Sequence, residues 1–238
     1  MINVFLAEMI GSMFLLVFGF AAIASDYLNK SHGNGGGWLM QSLSWGIGLS
    51  LGLFAATTIG SQGHVNPAVT LAFITAGILP ATEAGPYLAG QVTGGMFAGL
   101  IVWLLYLPHW AATEDKDAKL ACFAMSPGIR NIPANFVAEF LSFFIFAFGI
   151  FLISKVVFPV SVIAGTFATG LWLSAAIMAT GGQTGCGYAI DLGTRIAHQM
   201  LPIAGKRDSD WGYAWVNLLA PGLAAVAAAF AATHLGLV

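Results

Sequence analysis

An all-α membrane protein, with six transmembrane helices plus two re-entrant half-helices arranged as an inverted three-helix repeat, is the fold class this sequence predicts. Three observations predict it. First, of 238 residues 58% are hydrophobic and only 8% charged, against roughly 25% charged in an ordinary soluble domain. Eight Lys+Arg and ten Asp+Glu cannot coat a soluble body of this size, so the solvent around most of the chain is lipid. Second, crossing about 30 Å of hydrocarbon takes about 20 apolar residues, and six such windows lie between the charges. Third, two further apolar stretches are too short to cross, and they occupy matching places in the two halves.

The predicted spans are residues 2–24, 38–60, 83–107, 132–153, 157–180 and 211–233. The first carries Glu8 and has neither a basic leader nor a small-residue cleavage site, so it reads as a retained span and not a signal peptide. The short stretches, 66–78 and 191–201, each follow a glycine-rich approach, Ile59-Gly60-Ser61-Gln62-Gly63 and Gly181-Gly182-Gln183-Thr184-Gly185. Both halves open alike, Asn3-Val4-Phe5-Leu6-Ala7-Glu8 and Asn135-Phe136-Val137-Ala138-Glu139. One channel domain, 1–238, therefore divides into a first repeat at 1–107, a connecting loop at 108–132 and a second repeat at 133–238. With three spans in each half, the second copy enters the membrane from the opposite side, and the half-helices meet near the midplane.

Composition also excludes functions. A formal net charge of −2 leaves no basic patch for nucleic acid. Cys122 and Cys186 suit neither a clustered metal site nor a disulfide framework and read as two free thiols. An intramembrane enzyme needs a nucleophile with its base, or a metal cluster, facing a cavity. His32, His64, His109, His198 and His234 stand in scattered contexts without metal-ligand spacing. No catalytic residue, metal or cofactor is expected.

The most informative run is His64-Val65-Asn66-Pro67-Ala68-Val69-Thr70. Asn is a favoured N-cap, and Pro at the first helical position sacrifices no amide bond, so Asn66-Pro67 starts a helix sharply, with Ala68 in its first turn. A helix starting inside a membrane turns amide donors and about half a positive charge into the protein. Such irregular backbone is tolerated there only when buried in protein or lining a cavity. The Asn66 amide then suits a passing hydroxyl or water oxygen, while the dipole repels cations. Glu8 and Glu139 need donors, because an unpaired carboxylate in an apolar span costs a few kcal/mol or more. Each is expected to accept backbone N–H groups from the re-entrant loop of its own half, with proton relay as the rival role. His64 is read as a structural hydrogen-bonding group or a pore-lining one.

These features resemble the major intrinsic protein family, the aquaporins and glycerol facilitators. The resemblance covers nearly the whole chain and rests on both Ala-Glu pairs, Gly63-His64-Val65-Asn66-Pro67-Ala68-Val69-Thr70, Gly90-Gln91-Val92-Thr93-Gly94 and Asp191-Leu192-Gly193-Thr194-Arg195. Ser44-Trp45-Gly46-Ile47-Gly48 looks like the glycerol-facilitator branch, and 195–211 looks like lactobacillus-type facilitators, some associated with lactic acid. The resemblance implies a passive channel for small uncharged solutes (glycerol and similar polyols, water, undissociated lactic acid) in a plasma membrane. It implies homotetramers with a pore per subunit and cytoplasmic termini. It also implies a pore constriction at His64, Asn66, Pro67 and Ala68, loop anchors at Glu8 and Glu139, and filter walls at Trp45, Ala179, Cys186 and Tyr188.

One family feature is missing. The second half-helix should begin Asn-Pro-Ala-Arg-Asp, yet the chain reads Cys186-Gly187-Tyr188-Ala189-Ile190-Asp191. Either the four motif residues are deleted after Ile190, or Gly187, Tyr188, Ala189 and Ile190 replace them and the upstream loop is shorter. Losing one turn shifts the helix start by about 5–6 Å. Asp191 becomes the natural N-cap, where its charge would partly cancel the cation-excluding dipole. The expected consequences are a wider, leaky pore, a loop collapsed into the vestibule, or a non-conducting family relative. Orientation is contested as well. The first, third and fifth loops carry Lys30, Lys116, Lys119, Arg130, Arg195, Lys206 and Arg207, against Lys155 opposite, so the positive-inside rule places those loops in the cytoplasm, where the family places the termini.

Overall fold

The computed structural model describes residues 2–181 and 190–238. Ten α-helices and no strand occur among them, in the order α1 (Ile2–Tyr27), α2 (Gly37–Ile59), α3 (Pro67–Thr75), α4 (Ala84–Leu105), α5 (Leu107–Ala112), α6 (Lys116–Ala121), α7 (Ile132–Val156), α8 (Val162–Thr180), α9 (Leu192–Met200) and α10 (Trp211–His234). Six of them, α1, α2, α4, α7, α8 and α10, are long and apolar enough to cross a membrane. The nine-residue α3 and α9 are half that length or less.

Helix starts follow local chemistry. Asn131 and Ser161 cap α7 and α8, their side-chain oxygens accepting the Ala134 and Ala164 amides at 3.3 and 3.2 Å. Hydropathy begins the fifth span at 157, but the backbone turns over 157–160 and Ser161 sets the helix at Val162. In the other direction, α1 runs past the apolar window to Tyr27. Its Asp26 is buried, with Oδ1 accepting from Gly37 N at 3.0 Å and Oδ2 from Gln41 Nε2 at 2.5 Å.

Packing repeats between the halves. In the first, α1 lies against α2 and α4; in the second, α7 lies against α8 and α10. Each half-helix crosses to the other half, α3 onto α10 and α9 onto α4. The halves also meet where α2 crosses α8. There a Cβ on Gly46 would run into the Gly170 carbonyl oxygen, and one on Gly170 into the Gly46 carbonyl oxygen, so the two backbones touch. Beyond one end of the bundle, α5, α6 and the loop before α10 form a cap. Lys119 Nζ donates to Ala204 O at 2.5 Å, Arg207 pairs with Asp117, and Arg130 pairs with Asp210 while lying 4.8 Å over the Tyr213 ring. Burial draws Lys119 below the ordinary lysine value.

Candidate functional site: two cavities and a half-helix between them

Two cavities enter the helix bundle from opposite ends. The inner one, named only for its distance from the cap, is about 270 Å³ and is lined by the loop before α3 and by α1, α2, α3, α7 and α8; the outer one, about 650 Å³, lies under the cap. They share helix faces. On α2, Trp45 lines the outer cavity and Leu49 the inner; on α8, Ile177 lines the outer and Leu173 the inner. Each pair is four residues apart, so about 6 Å of helix separates the cavities.

The first half-helix starts at the inner cavity. Asn66 has extended backbone (φ −157°), and its Oδ1 accepts the Ala68 amide at 2.8 Å and the Val69 amide at 3.4 Å. The oxygen is thus committed to capping, which fixes the orientation of the side-chain amide. Asn66 lines the inner cavity, while Pro67 borders a small void near the second half-helix; Ala68 is packed in the core.

Glu8 organises the approach to this helix. It is fully buried, and Oε1 accepts from His64 N at 2.9 Å and from the Ser61 hydroxyl. Oε2 accepts from Val65 N at 2.7 Å and from Gln91 Nε2 at 2.7 Å. Peptide planes are trans, so a carboxylate that takes the His64 and Val65 amides turns the Gly63 and His64 carbonyls the other way, where both residues line the cavity. Val65 has φ 44°, a costly left-handed conformation for a β-branched residue, and the bond to Glu8 holds it. His64 is both bonded and cavity-lining: Nδ1 lies 3.2 Å from Thr70 Oγ1, and the ring stacks on Tyr87 with centroids 4.5 Å apart. Residues that sequence reasoning missed complete the cluster. Gln91 bridges Glu8 and Thr70, and Tyr87 backs the imidazole; the Gly90-Gln91 pair gave the signal for the first.

The second half corrects the reading of Asp191. It stands at the N-cap position of α9 but makes no side-chain capping bond. Instead Oδ2 accepts from Arg195 Nη2 at 2.5 Å, Met125 N at 3.0 Å and Asn217 Nδ2 at 3.3 Å, with Asp191 1% and Arg195 0% exposed. Arg195 also donates to the Ser209, Asp210 and Met125 carbonyls at 2.7, 2.9 and 3.2 Å. A carboxylate with a guanidinium one helical turn away is drawn to it, and its charge is balanced inside the protein instead of offsetting the helix dipole. Lys206 closes the other end of α9, its Nζ donating to the His198, Gln199 and Leu201 carbonyls.

The filter assignment also changes. Trp45 lines the outer cavity, its ring against Gly19 and edge-on to Phe20. Ala179 is exposed and does not line that cavity; Ile177 and Gly181 do. Residues four apart share a helix face, whereas two residues' advance turns a side chain well past a right angle, which carries Ala179 away. Ile190 lines the inner cavity together with Asn66. Cys186, Gly187, Tyr188 and Ala189 lie outside the described residues. Glu139 is buried on α7, but the segment from which it was expected to accept amides, 182–189, lies outside them as well.

Comparison with known proteins places this geometry. The profile of the family described as "Major intrinsic protein" matches residues 1–232. The chain is 40% identical over 220 residues to glycerol uptake facilitator protein 3 of Lactiplantibacillus plantarum, covering 91% of this chain and 90% of that one. It is 36% identical over 238 residues to the D/L-lactic acid transporter of the same organism, covering 98% and 96%. The fold matches the aquaglyceroporin of Plasmodium falciparum with a TM-score of 0.85 at 20% identity, over 97% of this chain and 94% of that one. From the half-helices, the shared cavity faces and these likenesses together, the chain belongs to the major intrinsic protein family.

Proposed function

We infer that this multi-pass membrane protein is a passive channel for small uncharged solutes: glycerol and similar polyols, water and undissociated lactic acid. The observation that carries the reading is the alignment of two cavities along the same faces of α2 and α8, with the Asn66-capped half-helix starting beside the gap. The inner lining holds no Asp, Glu, Lys or Arg among the described residues, which suits neutral cargo. The names of the relatives, glycerol uptake facilitators and a lactic acid transporter, support the same solute class. Stopped-flow light scattering on proteoliposomes tests it: glycerol and water fluxes well above those of empty vesicles support the reading, and traces equal to empty vesicles sink it.

A leaky-pore alternative rests on the missing motif Arg and on an Asp191 charge at the α9 terminus. The Asp191 carboxylate is bonded to Arg195, which removes the second of these grounds. The missing motif still favours a non-conducting relative as the second reading, and the same traces decide it.

The outer cavity predicts the form in which lactic acid enters. Asp26, Asp115 and Asp117 line it, with no Lys or Arg among its described lining residues, although Arg207 pairs with Asp117 nearby. A lactate anion is repelled there and the neutral acid is not. For a carboxylic acid ionising near the ordinary aspartate value of about 3.9, the neutral fraction grows about tenfold for each pH unit lowered, until pH reaches that value. Channel-dependent uptake at fixed total lactate should therefore rise about tenfold per unit between pH 7 and 5, read by an internal pH dye. Uptake independent of pH would mean that the anion passes.

The repeats at 1–107 and 133–238, a homotetrameric assembly, a lipid bilayer around it and plasma-membrane residence with cytoplasmic termini belong to the same proposal. The orientation follows the family; Arg195, buried on the half-helix α9, does not belong to a loop and drops out of the positive-inside count. Protease cleavage within 111–130 on whole cells places the cap outside; protection there reverses the topology. Native mass spectrometry of the detergent-solubilised protein reads the assembly directly.

A further inference from the structure

We propose that Gln41, held by Asp26, is a specificity-determining residue of the outer cavity: the carboxylate keeps the amide nitrogen, the amide oxygen faces the passage, and this wall binds a solute through the solute's own O–H while offering a carboxylate anion no donor. The inference rests on the proposed channel reading and names the device that enforces its preference for the undissociated acid.

Both side chains line the outer cavity and both are deeply set, Gln41 2% and Asp26 6% exposed. Gln41 Nε2 donates to Asp26 Oδ2 at 2.5 Å, and Gly37 N donates to Oδ1 at 3.0 Å. An ionised carboxylate only accepts, so it fixes which end of the amide it meets: the nitrogen, which carries both donors, is turned to Asp26, and the oxygen points away. No donor among the described residues reaches that oxygen, and unlike the unpartnered Gln91 Oε1 it is not sealed in the core, so it opens on the cavity. Other donors on this wall are spent inside the protein. Trp38 Nε1 donates to the Ile177 carbonyl at 3.0 Å, and Asn34 Nδ2 to the Asp26 and Leu28 carbonyls at 2.9 and 3.3 Å. Trp45 lines the same cavity one turn further along α2, so a solute entering from the cap passes Gln41 about 6 Å before it reaches Trp45.

The titratable groups that face the pair are Tyr27 on α1 and, at the start of α6, Asp115 and Asp117, the last paired with Arg207; α8 contributes Ile177. Those two aspartates stand exposed at the rim, where salt screens them, whereas the buried pair acts deeper in the cavity. Glycerol both donates and accepts, so it can use either end of an amide. Undissociated lactic acid donates its acid proton to the Gln41 oxygen. A lactate carboxylate only accepts, and it meets an oxygen backed by a buried negative charge.

Uptake of labelled lactate into proteoliposomes at equal total lactate, with empty-vesicle uptake subtracted, gives the ratio of uptake at pH 5 to that at pH 7; glycerol flux is measured beside it. Asp26→Asn lets the introduced amide donate to Gln41 Oε1, which turns the Gln41 nitrogen to the passage. The uptake ratio should then fall about fivefold, the equivalent of one net hydrogen bond gained by the anion, with glycerol flux within about twofold of wild type. Because this change also removes a charge, Asp26→Asn/Gln41→Met separates the two effects: with no donor facing the passage, the ratio should return to within about twofold of wild type. An unchanged ratio in Asp26→Asn, or a double variant equal to it, overturns the proposal. If Asp26→Asn does not fold, Gln41→Lys pairs with Asp26 and likewise gives the passage a donor, so it should lower the ratio in the same direction; an unchanged ratio there overturns the proposal too. A wild type whose glycerol flux equals that of empty vesicles overturns the channel reading itself. Wild-type flux with a ratio that no variant moves overturns only the role of Gln41.

Discussion

Glu8→Ala should abolish solute flux and most of the folded yield, because one buried carboxylate takes four donors; Gln91 keeps a second acceptor in Thr70 Oγ1, but the two loop amides are aimed at the carboxylate. Those donors are the His64 and Val65 amides, the Ser61 hydroxyl and the Gln91 amide. Each donor left buried without a partner costs about 1–3 kcal/mol, and the total stability of a protein is only about 5–15 kcal/mol. The strained backbone at Val65 would then relax, and the Gly63 and His64 carbonyls would leave the cavity wall. Glu8→Gln replaces one acceptor oxygen by a donor NH₂ that meets the N–H groups already present. It should lose about 1–3 kcal/mol and at least tenfold in flux per folded protein. Thermal unfolding in detergent and flux normalised to folded protein measure the two effects. Wild-type flux in Glu8→Ala would show that the loop holds its shape without the carboxylate.

Arg195→Leu should destabilise the fold by about 3–5 kcal/mol, because it strands Asp191 as a buried carboxylate without its cation. Asp191→Asn should be milder. Arg195 would keep the Ser209, Asp210 and Met125 carbonyls, and Asn217 would still hold Met125 O at 2.9 Å. The double variant Asp191→Asn/Arg195→Leu should recover part of the loss of Arg195→Leu, since the stranded charge is gone. Chemical or thermal unfolding of all three gives the coupling between the two sites. Strict additivity would mean that the pair contributes by packing alone.

Hydropathy and helix-starting chemistry made most of the fold legible. The window 2–24 stops short of Asp26, whereas α1 continues to Tyr27 because Gln41 and the Gly37 amide satisfy that carboxylate from across a turn. No local pattern encodes that partner. Asn66-Pro67 announced α3 because an N-cap and an N1 proline act within one turn. The role of Glu8 was legible because a carboxylate in lipid has few options; the Gly90-Gln91 pair was visible too, but nothing local tied it to Glu8, 83 residues away. Asp191 shows the opposite limit. Capping is a local preference, and it lost to an arginine four residues on and an asparagine on α10. The i,i+4 spacing of Asp191 and Arg195 was visible all along. Ala179 failed because counting along a motif ignores the turn of the helix that carries it.

The touching backbones of Gly46 and Gly170 bear on the kind of transport this bundle supports. Walls seated carbonyl against glycine at their crossing leave no slack for one half to rock over the other. A carrier that works by alternating access needs that slack, and it betrays itself by saturation and by acceleration when solute waits on the far side. This protein should show neither: its flux should grow in proportion to the gradient, with the shallow temperature dependence of diffusion.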